Sequence, residues 1–319
     1  MEDGIERNIR INLEPVYRIL IYGANGWIGQ KVVKLLRTNP YVYVFCAEAR
    51  ADDADAVKAE IIKFSISHVM SFIGRTHGEG ITTIDYLEKP GKLVENMRDN
   101  LFAPLTLADV CSKFDVHYTY LGTGCIFDYD EAHPFGDETT GFKESDVPNF
   151  FGSSYSVVKG YTDRLMRRLP VLNVRIRMPI TDEICSRNFV TKITSYARVC
   201  SIPNSMTVLD TLLPTMVDLA LKRHTGTVNL VNPGLITHNE ILEMYKEIVN
   251  PTFTWTNFTI EEQNQVLASK RSNNCLDTSK LSASVPHIKD AIRQVLIQMK
   301  KRIIEPEPQV GSKDINSGL

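Results

Sequence analysis

An α/β fold, a doubly wound parallel sheet followed by a smaller C-terminal lobe, is predicted by three observations. Tyr17-Arg18-Ile19-Leu20-Ile21-Tyr22 is a nearly continuous apolar run, as strands buried on both faces of a parallel sheet are. It stops at a glycine-rich loop, Gly23-Ala24-Asn25-Gly26-Trp27-Ile28-Gly29, which opens a helical pattern. Strand and helix patterns then alternate through about residue 180, which implies parallel strands joined by helices that cover both faces.

Taken in order, Lys31 to Arg37 has helical spacing, Asn39-Pro40 stops it, and Tyr41 to Ala47 is rich in the β-branched and aromatic residues of a second strand. These form a βαβ unit of the Rossmann type. Further strands are predicted at His68 to Phe72, His117 to Leu121 and Asn173 to Met178. Helical stretches separate them around Asp53 to Ser65, Lys92 to Lys113 and Tyr155 to Leu169. Beyond residue 180 the chain is less periodic, with helices at Phe189 to Arg198, Leu212 to Lys222, His238 to Ile248 and Ile288 to Ile303 among loops with an Asn-Pro-Gly turn.

A chain of 319 residues with 43% hydrophobic content buries one large core or two modest ones. The net charge of -2, without a long basic run, leaves no electrostatic footprint for nucleic acid or an anionic membrane, and neither is expected as a partner. Cysteines at positions 46, 111, 125, 185, 200 and 275 lack metal-ligand spacing, so no metal is expected. Met1 to Pro15 has neither an apolar secretory core nor a membrane span. The expected location is the cytoplasm, where the thiols stay free.

The glycine loop has the spacing G-x-x-G-x-x-G. Missing side chains let backbone amides and the N-terminus of the next helix approach a pyrophosphate, so Gly23, Asn25, Gly26, Trp27, Ile28 and Gly29 are candidate dinucleotide contacts. Glu48, 19 residues after Gly29, suits the ribose hydroxyls of NAD, whereas Arg50 suits the 2′-phosphate of NADP. Either is also compatible with a solvated loop charge. NADPH is the expected cofactor, with NADH open, and Arg50 and Asp53 join the candidate set. The division is then an extension over 1–15, a dinucleotide-binding domain over 16–180, a mainly substrate-binding lobe over 181–304 and a polar, disordered tail over 305–319.

Tyr155 and Lys159 are spaced Y-x-x-x-K, so one helical turn sets the lysine charge beside the phenol, where it favours phenolate and eases proton transfer to a carbonyl oxygen. Thr123 supplies a second hydrogen bond to that oxygen from the end of the preceding strand. Cys125, two residues on, places a thiol at the same cleft edge.

The glycine loop, Gly122-Thr123 and the Tyr155/Lys159 pair together resemble the catalytic set of the extended short-chain dehydrogenase/reductase family. Family 4,6-dehydratases carry Thr-Asp-Glu where this chain has Thr123-Gly124-Cys125, so a dehydratase is not expected. Gly26-Trp27-Ile28-Gly29, Thr123-Gly124-Cys125-Ile126-Phe127, Arg187-Asn188-Phe189-Val190-Thr191-Lys192-Ile193 and Arg271-Ser272-Asn273-Asn274 are similar to the 3,5-epimerase/4-reductases that make UDP-L-rhamnose from UDP-4-keto-6-deoxy-glucose. The likeness runs from about Arg18 to Ile304. It implies Thr123, Tyr155 and Lys159 as the reductase set, Cys125 and Lys192 as the acid/base pair, and Thr76, Asn188 and Arg271 as contacts to a nucleotide sugar. It also implies a homodimer built on the helices at Lys92 to Lys113 and Tyr155 to Leu169, and a separate 4,6-dehydratase as the source of substrate.

Chemistry supports the carry-over, because the C3 and C5 protons both lie α to the C4 ketone and one oxyanion site serves both enolates. Without the resemblance, Lys192 reads as a solvated helix residue, Arg271 as a loop charge and Asn188 as a helix cap. Gly74-Arg75-Thr76-His77-Gly78 departs from the Gly-Val-Thr-Gly-Arg-Pro of plant relatives, which puts contacts there in doubt. Two other readings stay open: a single-activity 4-ketoreductase of the dTDP-rhamnose type, and a non-catalytic dinucleotide sensor.

Overall fold

The computed structural model of the chain describes residues 16–305; the extension over 1–15 and the tail beyond Glu305 lie outside them. Six parallel strands form the main sheet in the spatial order Val42–Cys46, Tyr17–Tyr22, His68–Ser71, His117–Thr123, Leu172–Ile176, Gly226–Asn229. Ile19 stands opposite Val44 on one side and His68 on the other, so the winding reverses at the first strand. A crevice opens beyond the carboxyl ends of strands at such a reversal, and this one lies beside Tyr22 and the glycine loop.

Strand periodicity explains why the first run reads as continuously apolar. Ile19 and Ile21 pack on one face with Val32, Val174 and Leu213, under the helices Trp27–Leu36 and Leu209–Leu221. Leu20 points to the other face and packs with Val57, Leu107 and Met166, under Ala54–Lys63, Ala103–Lys113 and Ser154–Met166. Asp53 caps the helix Ala54–Lys63 by accepting from the Ala56 amide, and Ser153 caps Ser154–Met166 by accepting from Ser156. A second core, with Ile180, Val190, Met206, Ile241 and Leu296, is enclosed by the helices Phe189–Ile193, His238–Ile248 and Ile288–Ile304.

Three elements differ from the sequence expectation, each for a local reason. The helix expected over Lys92 to Lys113 is three pieces, Leu93–Met97, a wide π turn at Arg98–Phe102, and Ala103–Lys113. Pro104 has no N–H to give the carbonyl of Asn100, which accepts from the Thr162 hydroxyl at 2.7 Å instead. The helix expected over Phe189 to Arg198 ends at Ile193. There the hydroxyls of Thr194 and Ser195 turn back to the carbonyls of Val190 and Lys192, and Arg198–Val199 goes on to pair with Thr256–Asn257 as a short strand. Finally, the chain returns to the sheet after residue 180: Leu209–Leu221 covers it, and Gly226–Asn229 is its sixth strand, beside Leu172–Ile176. Only four residues long, that strand shows little period-two pattern. No helix among the described residues is long and apolar enough to cross a membrane.

Candidate active site

The glycine loop forms because its turn tolerates no side chains. Gly23 has φ +78°, its carbonyl accepts from Gly26 N–H at 3.0 Å, and a Cβ on Gly29 would stand 2.1 Å from that same carbonyl oxygen. Gly26 caps the helix Trp27–Leu36 without a side-chain acceptor, so the first helical amides face the crevice. That cradle fits the pyrophosphate of a dinucleotide. The Trp27 indole and Lys31 both bond Glu183, at 2.9 and 2.7 Å, tying the loop to the C-terminal lobe.

The crevice is the floor of a cleft of about 960 Å³ that runs between the sheet edge and the C-terminal lobe. Gly23, Gly26, Trp27, Ile28 and Gly29 line it, together with Thr76, Thr123, Cys125, Tyr155, Lys159, Lys192 and Arg271. Four expected contacts stand outside this lining. Asn25 is exposed and takes a bond from Gln30 on its carbonyl; Arg50 is exposed and paired with Asp52 at 3.0 Å. Asp53 is a helix cap. Asn188 is fully buried, with its amide donating to the carbonyls of Thr181 and Glu183 and its oxygen accepting from Val190, so it too is a cap.

On the sheet side, Thr123 ends its strand with the hydroxyl accepting from Cys125 N–H at 3.1 Å. Tyr155 stands near both; burial pushes its phenol well above the ordinary range, the Cys125 thiol adds to this, and the Thr123 hydroxyl opposes it. Lys159 is buried one helical turn on, and donates to the Tyr120 hydroxyl and, at 3.3 Å, to the Leu121 carbonyl. Burial draws its ammonium down to about 7, against the pull of Asp163 and Cys125.

The lobe side carries the cations. Lys192 sits on the short helix Phe189–Ile193, with its ammonium 3.5 Å from the Thr82 carbonyl. Burial lowers its pKa, as do Arg187 and Arg271, while Cys185 opposes. Arg187 meets the ring of His77, whose own pKa is lowered by burial and by Arg187, Arg75 and Lys192. Arg271 forks onto Asp85.

Several supporting residues were given no role by the sequence, although Ser272 and Asn274 lie in the motif that begins at Arg271. The Ser156 hydroxyl donates to the Cys125 carbonyl at 2.7 Å, fixing the thiol-bearing turn to the tyrosine helix. Asn274 donates to the Gly124 carbonyl at 3.0 Å and Ser272 to the Phe127 carbonyl at 2.6 Å, so the Arg271-to-Asn274 segment buttresses the same turn. Arg177 lies beneath it, fully buried, where a Cβ on Gly124 would strike its Cγ at 2.8 Å. Asp85 and Tyr120 are likewise visible only once the chain is folded, since each partner lies on a different element.

A dinucleotide cradle at the winding reversal and a Thr/Tyr/Lys set above it define a short-chain dehydrogenase-like enzyme. The chain belongs to the NAD dependent epimerase/dehydratase family, whose model matches residues 19–178. Among solved structures it is similar to the L780 UDP-rhamnose synthase of Acanthamoeba polyphaga mimivirus, at 53% identity over 89% of this chain and 99% of that one, with a TM-score of 0.85. It is also similar to the bifunctional dTDP-4-dehydrorhamnose 3,5-epimerase/dTDP-4-dehydrorhamnose reductase of Arabidopsis thaliana, at 42% identity over 93% of this chain and 96% of the relative. A trifunctional UDP-glucose 4,6-dehydratase/UDP-4-keto-6-deoxy-D-glucose 3,5-epimerase/UDP-4-keto-L-rhamnose-reductase of the same plant is 43% identical over 89% of this chain, which spans 42% of that longer protein.

Proposed function

We propose that this chain is a bifunctional nucleotide-sugar 3,5-epimerase and NADPH-dependent 4-reductase that converts UDP-4-keto-6-deoxy-D-glucose to UDP-L-rhamnose. The observation that carries the reading is one cleft that holds Cys125 with Thr123 and Tyr155 on the sheet side and Lys192 on the lobe side. A plain reductase needs only the first hydroxyl pair and Lys159. A thiol and a depressed lysine in the same cleft are the groups that inversion at carbon requires in addition.

Thr123 and Tyr155 donate to the C4 carbonyl oxygen, and so stabilise the enolate formed when a proton leaves C3 or C5. Cys125 and Lys192 exchange those protons, one as base and the other as acid. Bound NADPH supplies the hydride that reduces C4 after inversion. Tyr155 then protonates the C4 oxygen, and Lys159, bonded to Tyr120 and Leu121, fixes the tyrosine helix against the neighbouring strand. Arg271 meets the diphosphate of the nucleotide.

The protein acts in the cytoplasm on substrate delivered by a separate 4,6-dehydratase. It works as a homodimer; Val94, Phe102 and Tyr161, at 71%, 51% and 55% exposure, put apolar surface on the helices expected to pair. Incubation with UDP-4-keto-6-deoxy-glucose and NADPH in deuterated water tests the whole reading by NMR. UDP-L-rhamnose carrying deuterium at C3 and C5 is the expected product, and a reduced D-sugar without deuterium leaves only a ketoreductase.

A further inference from the structure

The segment from Thr76 to Asp85 meets three of the cations that the lobe presents to the cleft. His77 meets Arg187, the Thr82 carbonyl faces Lys192, and Asp85 takes Arg271. The last contact is the strongest, because it pairs two full charges. The Arg271 guanidinium forks onto the carboxylate, with Nη1 on Oδ1 at 3.2 Å and Nη2 on Oδ2, and Nη1 also meets the carbonyl and hydroxyl of Ser269. Such a fork has the geometry with which arginine grips two oxygens of a phosphate.

We infer that Asp85 stands in for the substrate diphosphate on Arg271 and sets the affinity for the nucleotide by competing with it. The inference rests on the assignment of Arg271 to the diphosphate above. Two features make the arginine the partner that leaves. Asp85 keeps donors without it, the Thr83 hydroxyl at 2.6 Å and the Ser269 amide and hydroxyl at 3.2 and 3.1 Å, so the carboxylate is not stranded. Burial works against the Asp85 charge, but the bonds from Arg271, Thr83 and Ser269 outweigh it and hold the carboxyl below its ordinary range. The carboxylate is therefore anionic at neutral pH, and faces any diphosphate that approaches the same guanidinium. At 25% and 17% side-chain exposure, the pair is open enough for exchange with a ligand.

Asp85→Asn removes the charge and keeps an acceptor oxygen for the Ser269 amide and hydroxyl, while its NH2 meets the Thr83 hydroxyl, which accepts as well as donates. Calorimetric titration of the NADPH-loaded protein with UDP tests the idea. Asp85→Asn is expected to bind UDP roughly two- to fivefold more tightly than wild type, the effect of removing one partly exposed competing charge pair. The gain disappears in the Asp85→Asn/Arg271→Ala double variant. Weaker or unchanged UDP binding by Asp85→Asn overturns the inference and makes Asp85 a residue that positions Arg271. A gain that persists without Arg271 overturns it as well, by showing a general charge effect. If Arg271→Ala alone binds UDP as wild type does, the placing of Arg271 at the diphosphate fails first, and that failure is distinct from the other two.

Discussion

Lys159 reaches the Tyr120 hydroxyl and the Leu121 carbonyl on the neighbouring strand, and no hydrogen bond among the described residues joins it to Tyr155. The ammonium is buried with neutral partners, which is why it is drawn from an ordinary 10.5 to about 7. Between those values the unfolded chain binds a proton that the folded one does not, so stability rises with pH through that interval. Buried Cys111, pushed up from an ordinary 9.0, begins to oppose the rise above that pH, which leaves 7 to 9 as the informative window. The unfolding free energy of the cofactor-free protein, from urea denaturation, should climb from pH 7 to 9, and in Lys159→Met less steeply by up to ~1.4 kcal/mol per pH unit. Equal slopes in the two proteins would show that the lysine is already charged when folded.

Asp163, on the same helix, is the counter-charge of Arg175 on the fifth strand of the chain, with Oδ1 to Nε at 2.9 Å and Oδ2 to Nη2 at 2.7 Å. Both side chains are buried, and Asn173 donates to the same carboxylate. Replacing Asp163 by Asn leaves a guanidinium in the core without its anion, and stability should fall by ~3–5 kcal/mol. Urea denaturation monitored by circular dichroism checks this; a loss below about 1 kcal/mol, the range of a surface pair, would refute a buried-charge role.

The parallel sheet and the tyrosine helix were legible because their signals are local: a run of apolar residues, a glycine spacing and one turn of helix. Thr123, Cys125, Tyr155 and Lys192 reach one cleft as their motifs suggested. Asn188 does not, because an Asn at a helix start satisfies backbone amides in the same sequence context that a ligand contact occupies. Asp53 likewise caps a helix and lies outside the cleft lining. The sixth strand went unseen because four residues show too little periodicity, and Asp85 because its partner lies 186 residues away. The break at Pro104 was readable in principle, since the ring denies Asn100 its helical partner; the rescuing Thr162 hydroxyl was not.

Gly29 tests the cradle. A Cβ there meets backbone, not a side chain that swings away, so Gly29→Ala must open the turn between Gly23 and the helix. The strand Tyr17–Tyr22 is held by neighbours on both sides and should stay in place. Binding of NADPH, followed by fluorescence titration, should weaken by at least roughly tenfold, the factor that corresponds to ~1.4 kcal/mol. Wild-type affinity in this variant would move the pyrophosphate away from the glycine loop.

Cys125 serves one of the two chemistries that share the cleft, and Tyr155 serves both. The Cys125 backbone is pinned by Thr123 and Ser156 through its amide and carbonyl, so Cys125→Ala removes the thiol without releasing the turn. Exchange of deuterium into C3 and C5 of the 4-keto sugar should fall by about 10²–10⁴-fold, the usual contribution of a positioned acid or base. Reduction of an already inverted UDP-4-keto-L-rhamnose should survive, because Thr123, Tyr155 and Lys159 remain. Lys192→Met should lose epimerisation in the same way, since its ammonium touches the cleft from the lobe and takes no part in holding the sheet. Tyr155→Phe should abolish reduction of the inverted sugar and also slow exchange at C3 and C5, because the same phenol stabilises the enolate. Loss of both activities in Cys125→Ala, with NADPH binding intact, would mean that the thiol serves the C4 oxygen and not the ring carbons.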